Sequence, residues 1–66
     1  MIIRLNGTDK KFSQTLNLDD LVREFGRRHS RIIAEVNGHI IARPHWDAHV
    51  LKDGDQVELV GFVGGG

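Results

Sequence analysis

Asn17-Leu18-Asp19-Asp20-Leu21-Val22-Arg23-Glu24-Phe25-Gly26 is the stretch on which the fold turns. Leu18, Leu21, Val22 and Phe25 fall at i, i+3, i+4 and i+7, the spacing of one helical face, and leave Asp19, Asp20, Arg23 and Glu24 for water. The stretch is therefore expected to be a core helix. Asn17 precedes it with Asp20 three residues on, and Gly26 follows Phe25, so cap residues stand at both ends. Arg27 and Arg28, just beyond, suit the negative end of the helix dipole.

Working outward, each side of the helix carries a hairpin. Ile2 to Leu5 is apolar and β-branched, and Asn6-Gly7 is the dipeptide that most readily adopts the positive backbone angles of a tight turn, so a second strand is expected from Thr8 to Ser13. Downstream, Arg31 to Val36 places Ile32, Ala34 and Val36 on one side of a strand, and Asn37-Gly38 turns it into His39 to Ala42. Pro44 is pre-set for a short helical turn. Trp46 is expected to cover an edge of the core, its indole N–H reaching solvent or a carbonyl. Lys52-Asp53-Gly54-Asp55 reads as a turn. In the closing strand, Gln56 to Phe62, Val57 and Leu59 alternate with Glu58, Val60 and Phe62, and Gly61 weakens the pattern.

The order is strand, strand, helix, strand, short strand, final strand. One compact arrangement suits it: a mixed sheet of about five strands, the main helix packed on one face, and the first and last strands paired centrally in parallel. This is an α+β fold, the β-grasp arrangement of ubiquitin, with a short helical turn near Pro44. Residues 1–63 would form the domain and 64–66 a flexible tail.

Composition narrows the function. A chain of 66 residues buries only about 60% of the surface its unfolded form exposes, too little for an enzyme with a deep pocket. Nine basic residues balance nine acidic ones, so the positive field that nucleic-acid binding requires is missing. The absence of cysteine excludes disulfides, thiolate metal sites and a side-chain thiol nucleophile. The apolar start, Met1-Ile2-Ile3, is too brief for a secretory core or a membrane span, and a cytoplasmic protein is expected.

Gly64, Gly65 and Gly66 contribute no buried side-chain area, and glycine loses more backbone freedom on ordering than any other residue. After an apolar strand they form a thin arm able to thread a partner's channel, reaching roughly 10 Å at about 3.3 Å per residue. The arm ends in a carboxylate on Gly66. Once activated as an acyl-adenylate, an unbranched glycine carbonyl is unhindered to nucleophilic attack. Terminal glycines also occur as frayed ends, so this tail acquires meaning only from the fold order and the apolar strand before it.

Val60 and Phe62, opposite the core-facing Val57 and Leu59, together with Ile33, would form an apolar patch beside the tail and orient it on a partner. The competing expectation buries Phe62 against the sheet edge. His45 and His49 lie four apart, with His39 as a third candidate for zinc, but His-Trp-Asp-Ala-His lacks the glutamate of a metalloprotease helix. They read as surface histidines, and no metal site is expected. Asp53 and Asp55 flank a glycine as turn residues do, without the further oxygen ligands that calcium needs. Arg23, Arg27, Arg28 and Arg31 read as a solvated face.

Taken together, Val36-Asn37-Gly38, Ile41-Ala42-Arg43-Pro44-His45-Trp46, Leu51-Lys52-Asp53-Gly54-Asp55-Gln56-Val57-Glu58-Leu59-Val60 and Phe62-Val63-Gly64-Gly65-Gly66 resemble the ThiS sulfur carriers of thiamin biosynthesis. The resemblance spans the chain, with one departure: such chains often place proline just before the arginine, where this one has Ala42 and puts Pro44 after Arg43. It implies a protein co-substrate rather than an enzyme, with no bound cofactor. Gly66 would be adenylated with ATP by a ThiF-like adenylyltransferase and converted to a thiocarboxylate with sulfur from a cysteine desulfurase route. A ThiG-like thiazole synthase would then take the sulfur into the thiazole ring. With no cysteine in the chain, the main-chain terminus is the place for a transferable sulfur. The small subunit of molybdopterin synthase, a carrier for cysteine synthesis and a ubiquitin-like protein modifier share the tail chemistry, and a plain sheet-binding adaptor would not need the tail. The first of these rivals fits less well, because a Phe-Pro-Pro segment before the glycines is missing.

Overall fold

Two hairpins with the same turn frame the chain. The first joins β1 (Ile2–Leu5) to β2 (Thr8–Lys11) through Asn6 and Gly7, at φ 48° and 82°. The second joins β3 (Arg31–Val36) to β4 (His39–Ile41) through Asn37 and Gly38, at φ 51° and 85°. Asparagine and glycine tolerate this left-handed region best, which is why the dipeptide makes the reversal at both places. Helix α1 (Leu18–Gly26) lies between the hairpins, and β5 (Gln56–Phe62) closes the sheet. The structure is a computed structural model that describes residues 1–26 and 31–62. Arg27 and Arg28, expected at the helix end, and the tail Gly64 to Gly66 lie outside the described residues.

The strand order is β2-β1-β5-β3-β4, with β5 in the middle, parallel to β1 and antiparallel to β3. This is the expected mixed sheet. One face is covered by α1, whose Leu18, Leu21 and Val22 are buried with Ile3, Leu5, Ala34, Val36, Trp46, Leu51 and Val57. Full burial of an aliphatic side chain of this size contributes roughly 1.5–3 kcal/mol, so these few residues supply most of the cohesion available to so small a chain.

The helix start is fastened twice. Asn17 and Asp20 form a reciprocal box: the Asp20 N–H donates to Asn17 Oδ1 at 2.8 Å, and the Asn17 N–H donates to Asp20 Oδ2 at 3.1 Å. Two further N–H groups of the first turn donate to the segment after β4, Leu18 to the His49 carbonyl at 2.8 Å and Asp19 to that of Trp46 at 3.2 Å. That segment begins with a single 3₁₀ turn, Arg43–His45, in which Pro44 takes the early position that needs no N–H. Trp46 follows, buried, with its Nε1–H donating to the Ile41 carbonyl at 2.8 Å. The carbonyl, rather than solvent, is thus its partner.

Three expectations need adjusting. Strand β2 stops at Lys11, not Ser13: Lys11 pairs with Ile2, and beyond them Phe12 and Met1 exchange the last main-chain hydrogen bonds of the hairpin, at 2.8 and 3.1 Å. Strand β4 stops at Ile41, where the Pro44 turn draws the chain away before Ala42 can pair. Phe25 leaves the core: it is 42% exposed in the last helical turn, with Lys10 Nζ 5.7 Å from its ring centroid. No helix among the described residues is long and apolar enough to cross a membrane.

The two positions on the helix stripe should therefore respond differently to truncation. Leu21→Ala is expected to cost about 2–5 kcal/mol in urea-unfolding free energy, the range of a buried leucine. Phe25→Ala should cost about 1 kcal/mol, mainly the cation–π contact and partial burial. Equal losses would contradict this assignment of the helix face.

Candidate functional site: the outer sheet face and the end of the central strand

The register shows that β5 outruns its neighbours. Strand β1 pairs with it only at Arg4↔Gln56 and Leu5↔Val57, whereas β3 pairs with it all the way to Arg31↔Phe62. Strand β4 in turn covers only Ala34 to Val36 of β3. Residues 31–33 and 60–62 therefore extend past the other three strands as a two-stranded ribbon, with Ile32 still packed against the core.

Alternation puts Val57 and Leu59 toward the helix and turns Glu58, Val60 and Phe62 away from it. Val60 and Phe62 are 51% and 49% exposed, and Ile33, directly opposite Val60, is 42% exposed. The expected patch is thus one continuous outward surface, and Phe62 is not buried against the sheet edge. Sequence reading missed one member. Ile40 of β4 is 70% exposed and stands across from Glu35, which shares the outward face with Ile33. A strand of only three residues is too short for its alternation to be read, although half-buried Ile41 beside Ile40 carries the hint. Arg31, Glu35 and Glu58 border the apolar strip.

Polar side chains grip β5 at two points. At its start, Asn37 Oδ1 accepts from the Gln56 N–H at 3.0 Å, while Asn37 Nδ2 donates to Asp55 Oδ1 at 2.9 Å. Further on, Asn6 Oδ1 accepts from the Leu59 N–H at 2.8 Å, and Asn6 Nδ2 donates to the Leu59 carbonyl at 3.3 Å. Both asparagines are the positive-φ residues of the hairpin turns, so the turn that reverses the chain also reaches the central strand. The aspartates of the turn before β5 are engaged similarly: Asp53 Oδ1 accepts from the Ile2 N–H at 2.6 Å and Asp55 Oδ2 from the Lys52 N–H at 2.8 Å. Asp55 thus closes its own turn, as expected of a turn residue, while Asp53 ties that turn to the start of β1.

The remaining candidates disperse. His39 and His49 line an open groove of about 480 Å³ with Val36, Ile41, Val50 and Lys52, and His45 is not among its lining residues. Among the described residues no three or more of His, Cys, Asp and Glu gather as metal ligands would. Arg23 pairs with Asp19 one helical turn away at 2.9 Å. Gly64, Gly65 and Gly66 lie outside the described residues.

Comparison with known proteins agrees with this architecture. The ThiS family model matches residues 3–66. The sulfur carrier protein ThiS of Bacillus subtilis is 35% identical over 66 residues, covering 98% of this chain and 100% of that protein. A thiazole synthase from Paramagnetospirillum magneticum is 30% identical over all of this chain, which spans only 20% of that protein; one from Magnetococcus marinus is 33% identical with the same coverage. Among solved structures, the crystal structure of the thiamine biosynthesis protein ThiS from Geobacter metallireducens superposes with a TM-score of 0.76 at 30% identity, each chain fully covered. With a family model that runs from the first strand to Gly66 and a ThiS crystal structure sharing the mixed sheet, this chain belongs to the ThiS family.

Proposed function

We propose that this chain is a sulfur carrier of thiamin biosynthesis, loaded at the carboxylate of Gly66. The observation that carries the reading is the ThiS family match extending through the three glycines, which follow the central strand in the sequence. Loading begins when a carboxylate oxygen of Gly66 attacks the α-phosphorus of ATP in an adenylating partner of the ThiF type, releasing pyrophosphate. A persulfide sulfur supplied by a cysteine desulfurase route then displaces AMP to give an acyl disulfide, and attack of a thiol on that disulfide releases the terminus as a thiocarboxylate and leaves the thiol oxidised in a new disulfide. Gly64 and Gly65 present no side chain to the walls of a partner's channel, so the terminus can reach a buried centre. ATP is consumed by the activating partner, and the chain serves as a protein co-substrate without a cofactor of its own.

A thiazole synthase is the acceptor we favour. In the two thiazole synthases described above, a segment similar to this whole chain makes up one fifth of the protein. A carrier-like unit and a thiazole synthase thus occur within single polypeptides, as expected of units that work on each other. The outward strip of Ile33, Val60 and Phe62, which Ile40 extends, is the docking surface in this reading. It sits on the strand that leads to the tail, so partner contact there fixes the direction in which the terminus enters.

Intact mass after incubation with ATP, a ThiF-type adenylyltransferase and a sulfur donor should rise by the oxygen-to-sulfur difference, and deletion of Gly65 and Gly66 should abolish the rise. Larger covalent conjugates instead would mark a protein modifier, and full function without Gly65 and Gly66 would mark an adaptor. A second expectation concerns docking. Ile33→Lys with Val60→Glu, which sets opposite charges on a cross-strand pair, should lower thiocarboxylate formation at limiting enzyme at least tenfold while shifting unfolding free energy by no more than about 1 kcal/mol, as exposed substitutions do. Unchanged loading of that double variant would remove the strip from the mechanism.

A further inference from the structure

We infer that Asn6 is a positioning residue for the carrier reaction, holding the ribbon from which the tail departs in the direction its partners require. The inference rests on the carrier reading above. Its basis is the ladder between β1 and β5. Along that side of β5, the Arg4 N–H donates to the Asp55 carbonyl and the Asn6 N–H to the Val57 carbonyl, each at 2.9 Å. In a regular parallel ladder the next bond would run from the Leu59 N–H to the main-chain carbonyl of Asn6. At φ 48°, however, Asn6 has already turned the chain toward β2. Its side-chain amide supplies the missing rung instead, Oδ1 accepting from the Leu59 N–H and Nδ2 donating to the Leu59 carbonyl.

Among the described residues that rung is the last between β1 and β5. Beyond Leu59 the strand that pairs with β5 is β3, and residues 31–33 of β3 lie past the register of β4. A two-stranded antiparallel ribbon is marginal by itself and twists more strongly than a sheet interior. Asn6 therefore sets where the rigid body stops and the ribbon begins, one residue before Val60 of the apolar strip. Without its side chain the pivot retreats toward Val57, and the strip and tail sample more directions relative to the body. Partners then encounter the bound geometry less often, an entropic penalty on association that leaves the terminus itself unaltered.

The test uses an asymmetry in the structure. Asn37 is the other positive-φ asparagine and grips the opposite end of β5 through the Gln56 N–H. Glycine adopts the same backbone angle, so Asn6→Gly and Asn37→Gly each delete a side-chain grip without disturbing the turn. Both variants and the wild type would be assayed for ATP-dependent adenylation by a ThiF-type adenylyltransferase, and amide exchange followed by NMR. Asn6→Gly should speed exchange at Leu59 and raise KM about fivefold or more, the factor for one hydrogen bond of average net worth, with kcat unchanged. Asn37→Gly should leave KM within twofold of the wild type.

Equal rises in KM for the two variants, an unchanged KM for Asn6→Gly, or a fall in kcat alone would each overturn the inference. If Asn6→Gly does not fold, a synthetic chain with an ester in place of the Glu58–Leu59 amide decides the matter by the same KM criterion, since it removes the donor from which Asn6 Oδ1 accepts and only weakens the Glu58 carbonyl. A wild-type chain that is never adenylated would refute the carrier reading, and this inference with it. Adenylation of the wild type with no Asn6 effect refutes the inference alone.

Discussion

Everything in this molecule depends on β5 being gripped from both sides. It is the middle strand, bonded in parallel to the first strand of the chain and antiparallel to the third, and its Val57 is fully buried at the centre of the core. The same strand then runs past its neighbours and delivers the chain to its glycines. The residues of β5 facing α1 hold the domain together, and those facing outward form the apolar strip.

Much of this was legible in the sequence because it rests on local chemistry. Asn6-Gly7 and Asn37-Gly38 can hardly be anything but tight turns, and the Leu18, Leu21 and Val22 stripe makes a helix with one buried face whatever surrounds it. The inward and outward sets of β5 follow from a period of two. Other features are tertiary and leave little local trace. That Phe25 would sit beside Lys10 rather than in the core depends on where the last helical turn meets an edge strand. The second use of Asn6 and Asn37, as side-chain grips on a strand distant in sequence, is invisible until the strand order is known. Ile40 was overlooked because its strand is only three residues long.

The outer face combines exposure with restraint. Exposed apolar side chains on a small protein invite indiscriminate association, yet here Arg31, Glu35 and Glu58 border the strip. Both sheet edges are short, four residues in β2 and three in β4, and β2 is polar throughout as Thr8-Asp9-Lys10-Lys11. These margins confine the exposed apolar area and offer little template for strand-to-strand self-assembly.

The strand order also bears on how the protein comes into being. Because β1 waits for β5, contacts such as Asn6 with Leu59 span 53 residues, and the sheet has no middle until β5 itself has left the ribosome. A nascent chain released before β5 has been made lacks its central strand and cannot assemble the body that partners would recognise. A product cut short in this way would stay unfolded and open to proteolysis, and would not compete with folded copies of the chain.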